Sequence, residues 1–203
     1  MHFKNEFGYF FNHRKLEAKE QLQANTYIEP HCIVLELGAR YGTVSCAINK
    51  KLSKPLNQVV VEPDERVWKV LEENMKLNDC NFHIVKGFVS NTSMNLINHT
   101  DDLYATTSIK SISSSIKSYT LNEIETMYNL KFNTLVADCE GFLEQFFDEN
   151  PHFYEQLNLV MFEKDFPDKC DYNKIKAKLS LQGFECIETG FQEVWKRVQK
   201  KNK

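Results

Sequence analysis

The chain has 203 residues, of which 42% are hydrophobic and 26% charged, and its formal net charge is −3. This balance is typical of a globular protein and excludes a largely disordered chain. The negative net charge gives no general attraction to nucleic acid. No apolar run reaches the roughly 20 residues that span a bilayer, and the N-terminus lacks the apolar segment of a signal peptide. We therefore expect one cytoplasmic domain over residues 1–203.

Cysteines and histidines give no sign of a metal site. The six cysteines form no C-x-x-C pair, and the six histidines have no ligand-like spacing. We expect the cysteines to be reduced structural thiols. Basic residues gather only in a C-terminal tail, at Lys196, Arg197, Lys200, Lys201 and Lys203. Such a tail is usually solvated, but contact with RNA or a membrane remains an alternative.

Apolar periodicity predicts alternating strands and helices along the chain. In chain order the predicted elements are an N-terminal helical extension within residues 1–29, a strand Cys32–Leu37, a helix Tyr41–Leu52, a strand Gln58–Glu62, a long helix N-capped by Asp64, a strand Asn81–Phe88, a helix Leu121–Leu130, a strand Thr134–Asp138, a helix over 140–150, a strand Leu157–Glu163, a helix Tyr172–Gln182 closed by Gly183, and a hairpin around Gly190. This order predicts an α/β fold of the Rossmann-like type. Its sheet is mostly parallel, with helices on both faces and an antiparallel C-terminal hairpin.

Residues 89–119 are rich in Ser, Thr and Asn and have no strong apolar period. Because the segment is too long for an ordinary connection, we predict a functional loop or lid. A poorly ordered surface insertion is the alternative.

A glycine-containing turn follows the first strand. Glu36, Gly38 and Gly42 are spaced E-x-G-x-x-x-G, and glycines in such a turn let the backbone approach a ligand closely. A dinucleotide site needs G-x-G-x-x-G, whereas Glu36 and Tyr41 replace two of those glycines. A carboxylate repels phosphate but can hold a cation directly or through water. S-adenosylmethionine carries a sulfonium and an ammonium and no phosphate, so we predict this cofactor rather than a nicotinamide dinucleotide.

A second carboxylate supports the same cofactor. Glu62 ends the second strand, 20 residues after Gly42, and a carboxylate at this place can accept hydrogen bonds from both hydroxyls of an adenosine ribose. The alternative is a Rossmann-like scaffold that binds no nucleotide.

Four blocks within about residues 30–190 resemble the FkbM family of methyltransferases. They are VLELGARYG, VVVEPDERVWKVLEENMKLN, YTLNEIETMYNLKFNTLVADCEGFLEQFF and LNLVMFEKDFPDKCDYNKIKAKLSLQGFECI. The resemblance implies a class I methyltransferase fold and methyl transfer to a hydroxyl oxygen, commonly on sugars or small molecules. The chain departs from the family at Val136, where members often have lysine.

The resemblance also implies places for individual residues. Glu36, Gly38 and Gly42 would line the methionine end of the cofactor. Glu62 would hold the ribose, and Gly87 and Phe88 would lie beside adenine. The predicted cofactor site further includes Ala39, Tyr41 and Pro63.

Methyl transfer to oxygen needs an in-line acceptor and a group that accommodates its proton. Asp138 ends the fourth strand and Glu140 follows it, so this pair could orient a hydroxyl, act as base or bind Mg²⁺. For Glu140 the alternative is an acidic residue that opens a helix. Lys164, after the fifth strand, could stabilise developing oxyanion charge or act as base if burial lowers its pKa, and an ordinary surface lysine is the alternative. We interpret Asp165 as a loop charge. Residues 89–119 would form part of the acceptor wall.

Two other functions remain open. Lys15, Asp138, Lys164 and Glu193 follow the order of the Lys-Asp-Lys-Glu set in FtsJ-like RNA 2′-O-methyltransferases, with Lys15 on the helix before the first strand and Glu193 on the last strand. The absence of a general basic footprint weighs against RNA. The third alternative is a non-catalytic protein that binds S-adenosylmethionine, because a fold alone does not prove activity.

Overall fold

The computed structural model describes residues 1–98 and 106–198. The elements in these ranges are β1 (Phe3–Lys4), β2 (Phe10–Phe11), α1 (Ala18–Tyr27), β3 (Val34–Leu37), α2 (Thr43–Asn49), a 3-10 turn (Pro55–Asn57), β4 (Gln58–Glu62), α3 (Glu65–Leu77), β5 (His83–Lys86), β6 (Phe88–Val89), β7 (Met94–Asn98), β8 (Thr106–Lys110), β9 (Ser118–Tyr119), α4 (Leu121–Tyr128), β10 (Thr134–Ala137), α5 (Leu143–Glu149), α6 (Phe153–Gln156), β11 (Leu159–Glu163), α7 (Tyr172–Leu181), β12 (Phe184–Glu188) and β13 (Gln192–Arg197).

Seven strands form the central sheet in the order β12-β13-β11-β10-β3-β4-β5. The strands from β11 to β5 are parallel, and β13 is antiparallel to both β11 and β12. The predicted α/β fold, with its mostly parallel sheet and antiparallel C-terminal hairpin, is confirmed. The chain runs from β3 towards β5 and then returns to β10 on the other side of β3. The carboxyl ends of β3 and β10 therefore flank a topological switch point, where open α/β sheets bind ligands.

Helices cover both faces of the sheet, so its central strands are buried throughout. Every residue of β3, β4 and β10 is buried, as expected for parallel strands between two helical layers. Ala24 of α1 and Ile48 of α2 pack on one face against Val136 of β10. Phe146 of α5 and Leu179 of α7 belong to the larger core on the opposite face.

The prediction of an N-terminal helical extension is wrong for the first half of that segment, because residues 3–11 form the β1–β2 hairpin. Asn74 and Asn78, one turn apart on α3, hold this segment in an extended conformation. The Asn74 side-chain oxygen accepts a hydrogen bond from the Lys4 N–H at 2.8 Å, and its amide nitrogen donates to the Lys4 carbonyl at 2.9 Å. Asn78 does the same for His2, at 2.8 Å each. The partners are 70 and 76 residues apart in the sequence, so local periodicity could not reveal them.

The predicted boundaries shift at several other elements. The third predicted strand is split, since β5 ends at Lys86 and β6 then pairs in parallel with β9. The described part of residues 89–119 is not structureless, because β7 and β8 form an antiparallel hairpin. Residues 99–105 lie outside the described residues. Asp64 caps α3 as predicted, accepting from the Arg66 N–H.

The C-terminal basic tail is structural where it is described. Lys196 and Arg197 lie in β13, and the Arg197 guanidinium donates to the carbonyls of Leu157 (2.8 Å) and Tyr154 (2.6 Å). Lys200, Lys201 and Lys203 lie outside the described residues. All six cysteines are free thiols. Within residues 1–98 and 106–198, no helix has the length and apolar character needed to cross a membrane.

One carboxyl group is buried in the layer between β3 and α2. Glu36 is 1% exposed and accepts hydrogen bonds from Ser45 Oγ and Gln58 Nε2, both at 2.8 Å. Burial raises the pKa of Glu36 to about 8. The side chain therefore links β3 to α2 and β4 and holds a proton in the folded protein at neutral pH.

The substitution Glu36→Gln tests this protonation. Between the ordinary carboxyl pKa of 4.5 and about 8, the folded chain keeps a proton that the unfolded chain releases, so wild-type stability falls as pH rises. Glutamine can accept from Gln58 and donate to Ser45 without titrating. We expect urea titrations from pH 5 to 8 to show that the unfolding free energy of Glu36→Gln, relative to that of wild type, rises by about 1.4 kcal/mol for each pH unit. A pH-independent difference would show that the folded protein holds Glu36 ionised.

Candidate functional site

The carboxyl ends of β3, β4 and β10 open into a cavity of about 750 Å³, part of it in contact with solvent. The cavity is lined by Glu17, Leu37, Gly38, Arg40, Val61, Glu62, Pro63, Gly87, Phe88, Val89, Leu96, Thr106, Ser108, Asp138, Cys139, Glu140 and Phe142. The site predicted from the glycine-containing turn and the site predicted from Asp138 are therefore one site.

Gly38 makes this convergence sterically feasible. Its φ is +81°, and a Cβ there would lie 1.7 Å from the carbonyl oxygen of Asp138. The Gly38 N–H donates to the Val61 carbonyl, and the Asp138 N–H donates to the Leu37 carbonyl, both at 3.0 Å. Only glycine accommodates both the backbone angle and the close approach. The first turn of the motif thus packs directly on the end of β10.

Glu62 fixes the same turn from the β4 side. One of its carboxylate oxygens accepts from the backbone N–H groups of Ala39 (3.1 Å) and Arg40 (2.7 Å), and the other accepts from that of Asp64 (2.7 Å). Burial raises the pKa of Glu62, while these backbone donors oppose the rise. The side chain lines the cavity, and its contact with a ribose stays a prediction.

Four predicted cofactor residues lie outside the lining of this cavity, namely Glu36, Ala39, Tyr41 and Gly42. Glu36 is occupied by the bonds described above, and Gly42 begins α2 with φ +79°. The ring of Tyr41 packs against Phe11 of the N-terminal hairpin, and its hydroxyl donates to Glu6. These residues stabilise the turn without lining the main cavity.

The other predicted cofactor residues are placed closer to the cavity. Pro63, Gly87 and Phe88 line it directly. Glu36 and Ala39 line a smaller adjoining cavity, which shares Glu17, Gly38 and Asp138 with the first.

Three carboxylates gather at the end of β10. One side-chain oxygen of each of Asp138, Glu140 and Asp165 lies within 4.8 Å of the others. Burial, reinforced by neighbouring carboxylates, raises the pKa of Asp138, and burial and Asp165 raise the pKa of Glu140 to about 7. Glu140 precedes the first residue of α5 by three positions, so it does not open that helix.

Asp165 lies in the loop after β11, as interpreted, but it is buried rather than solvated. The residue is 9% exposed, and its Oδ1 accepts from the Tyr172 hydroxyl (2.6 Å) and the Gly141 N–H (3.0 Å). Burial raises its pKa, and these two donors oppose the rise. Its position after a strand was visible in the sequence, but its burial depends on α7.

Glu17 is a further lining residue that the sequence did not reveal. It precedes α1 with φ +51°, lines both cavities beside Asp138 and accepts from the Thr43 hydroxyl. The sequence pointed instead to Lys15, which is exposed in the turn before α1 rather than on a helix.

Lys164 does not join Asp138. Its Nζ donates to Glu193 Oε1 at 2.7 Å, while Glu163 lines the smaller cavity with Asp138. Lys164 follows the last residue of β11 and lines neither this cavity nor the main one. Of the proposed Lys-Asp-Lys-Glu set, the described residues therefore bring only Lys164 and Glu193 into contact.

The cavity is acidic. Its lining contains the carboxylates of Glu17, Glu62, Asp138 and Glu140 against the single guanidinium of Arg40. Arg40 itself lies 3.6 Å from Asp64 and 3.7 Å from Glu6. A ligand that carries positive charge is favoured here over a polyphosphate.

Solved structures of methyltransferases have a similar fold. The ribosomal protein L11 methylase of Lactobacillus delbrueckii subsp. bulgaricus is 16% identical, with a TM-score of 0.51 over 93% of this chain and 81% of that one. The precorrin-6y C5,15-methyltransferase of Geobacter metallireducens is 11% identical, with a TM-score of 0.54 over 90% and 89%. The N-terminal domain of EvdMO1, solved with SAH bound, is 13% identical, with a TM-score of 0.54 over 93% and 85%.

No protein-family model matches the chain and no curated protein matches its sequence, so membership of the FkbM family stays a prediction. The structural likeness establishes the fold, which is the Rossmann-like fold of class I methyltransferases.

Proposed function

We propose that this protein transfers a methyl group from S-adenosylmethionine to a hydroxyl oxygen of a sugar, a glycoconjugate or another small molecule. The observation that carries the proposal is the joint lining of one cavity by Gly38, Glu62 and Asp138. This cavity lies at the switch point of a methyltransferase fold, where ligands bind in open α/β sheets.

The charge of the lining supports the choice of cofactor. S-adenosylmethionine brings a sulfonium and an ammonium into a cavity with four carboxylates and one guanidinium. The pyrophosphate of a dinucleotide would meet the same carboxylates and be repelled. In the proposed placement the methionine end lies near Glu17 and Gly38, the ribose at Glu62, and adenine beside Gly87 and Phe88.

The chemistry assigned to the chain is proton handling and orientation. S-adenosylmethionine supplies an electrophilic methyl group, whose bond to sulfur breaks as a bond to the acceptor oxygen forms. Asp138, adjoining the Gly38 turn, orients the hydroxyl and accepts its proton, and Glu140 assists. The raised pKa values of both carboxyls suit groups that must hold a proton. Lys164 has no part in this scheme, because it lies against Glu193.

The nature of the acceptor is inferred from the part of the cavity that is lined by β7 and β8. Leu96 of β7 and Thr106 and Ser108 of β8 line the cavity. Among the described residues of these two strands, the ones that line it offer apolar contact and hydroxyl groups and no cation for a phosphate. The FkbM-like blocks support oxygen as the methylated atom. An RNA acceptor is disfavoured because Lys15 and Lys164 do not line the cavity.

Removal of the Glu62 side chain tests the cofactor site. Because Glu62→Ala loses a charged acceptor for the ribose and releases the turn at Ala39 and Arg40, S-adenosylmethionine should bind more weakly by on the order of 2–3 kcal/mol. Isothermal titration calorimetry measures this. The control is Glu65→Ala, which removes an exposed carboxylate three residues away and should leave the affinity within twofold.

Two calorimetric results, one with S-adenosylmethionine and one with NAD, would contradict the assignment. An unchanged affinity in a folded Glu62→Ala protein would remove Glu62 from the site. Saturable binding of NAD at micromolar concentration would overturn the choice of cofactor.

Replacement of Asp138 tests the chemical step. Because Asp138→Asn keeps the size of the side chain and removes the proton acceptor, methyl transfer should slow by about 10²-fold or more, while cofactor affinity changes far less. The assay is transfer of labelled methyl to sugar nucleotides, glycans and capped RNA. Transfer to RNA alone, lost in both Lys15→Ala and Lys164→Ala, would contradict the sugar assignment.

A further inference from the structure

The carboxylate group of Asp138, Glu140 and Asp165 has a feature that methyl transfer does not require. Asp138 and Glu140 line the main cavity, whereas Asp165 lies behind them and outside its lining. Hydrogen bonds from Tyr172 and Gly141 hold Asp165 Oδ1. Its other oxygen, Oδ2, is buried and has no hydrogen-bond partner. A carboxylate oxygen left in this state is unfavourable, so the position suits a ligand that supplies positive charge.

The nearby cations already have other partners. Arg40 lies against Glu6 and Asp64, and Lys169 Nζ donates to Thr107 Oγ1 at 2.8 Å. Both lower the pKa of Glu140 through space, but neither bonds Asp165 Oδ2. Three carboxylates this close repel one another when ionised. Either protons or a metal cation must balance them.

The geometry points to a divalent cation held by Asp138, Glu140 and Asp165, at which an acceptor hydroxyl also binds. The cation site rests on these carboxylates alone, whereas its use for the acceptor rests on the proposed function. One oxygen of each carboxylate lies within 4.8 Å of the others. In an octahedral Mg²⁺ site neighbouring ligands are about 3.0 Å apart and opposite ones about 4.2 Å, and the corresponding distances for Ca²⁺ are about 3.3–3.7 Å and 4.6–5.2 Å, from their usual bond lengths. The limit of 4.8 Å exceeds the neighbouring-ligand distances by about 1–2 Å, so side-chain movements of that size would bring the three oxygens around either ion, with the smaller movement for Ca²⁺.

The ligand set favours hard cations. Three carboxylate oxygens, with no histidine or cysteine among them, suit Mg²⁺, Mn²⁺ or Ca²⁺ rather than zinc. Such an ion keeps several positions for water or hydroxyl oxygens. Since Asp138 and Glu140 face the cavity, those open positions lie on the acceptor side. An acceptor with two adjacent hydroxyls, as in a sugar, can occupy two of them, which would orient one hydroxyl towards the methyl donor.

The test is direct binding of Mn²⁺ to the full chain without cofactor, followed by electron paramagnetic resonance. We expect one Mn²⁺ per chain, displaced by Mg²⁺ or Ca²⁺. Asp165→Asn should weaken Mn²⁺ binding at least tenfold, because asparagine can still accept from Tyr172 and Gly141 but removes the charge. The matched control is Asp168→Asn, which removes an exposed carboxylate from the same loop and should leave the affinity within twofold.

A second variant keeps the test valid if Asp165→Asn does not fold, as judged by thermal unfolding. Glu140→Gln, at a half-buried position, should then show the same loss. Absence of Mn²⁺ and Ca²⁺ binding up to 1 mM, an order-of-magnitude ceiling for weak protein sites, would overturn the cation site. So would a folded Asp165→Asn protein that binds Mn²⁺ as tightly as wild type.

Calorimetry with S-adenosylhomocysteine on the same samples separates the two claims. Cofactor-product binding without Mn²⁺ binding overturns the cation site and leaves the proposed function standing. Mn²⁺ binding that depends on Asp165, without any binding of S-adenosylhomocysteine, supports the cation site and overturns the proposed function.

Discussion

The contact between the backbones of Gly38 and Asp138 is the constraint on which the candidate site depends. A Cβ on Gly38 would overlap the Asp138 carbonyl oxygen, so any other residue would push the turn after β3 away from the end of β10. Glu62 then ties that turn to β4 through three backbone N–H groups. Three neighbouring parallel strands thus bring the Gly38 turn, the Glu62 carboxyl group and the Asp138 carboxyl group to one cavity.

This arrangement concentrates acidic groups where the sheet excludes water. Burial raises the pKa of Asp138, Glu140 and Asp165, which means that ionising all three together is costly. A folded protein tolerates such a cost where the groups serve a ligand. In the proposals made above, the sulfonium of the methyl donor and a divalent cation would each supply positive charge to these groups.

The sequence could predict the parts of the site that depend on local pattern. The fold class, the glycine-containing turn and the strand-end positions of Glu62 and Asp138 follow from periodicity and spacing, because parallel strands end at the same edge. Residues fixed by tertiary packing were not predictable. Glu17 reaches the cavity through a left-handed backbone angle before α1, and the N-terminal hairpin depends on asparagines of α3.

Side-chain direction was the other source of error. Lys164 follows the correct strand, but its side chain binds Glu193 and lines neither of the cavities that contain Asp138. Asp165, one residue later, is buried by its bond to Tyr172.

A crystal structure with S-adenosylhomocysteine would test the central claim most directly. The account predicts the sulfur between Gly38 and Asp138, and both ribose hydroxyls within hydrogen-bond distance of Glu62. Binding of S-adenosylhomocysteine elsewhere on the chain, with this cavity left without ligand, would contradict it.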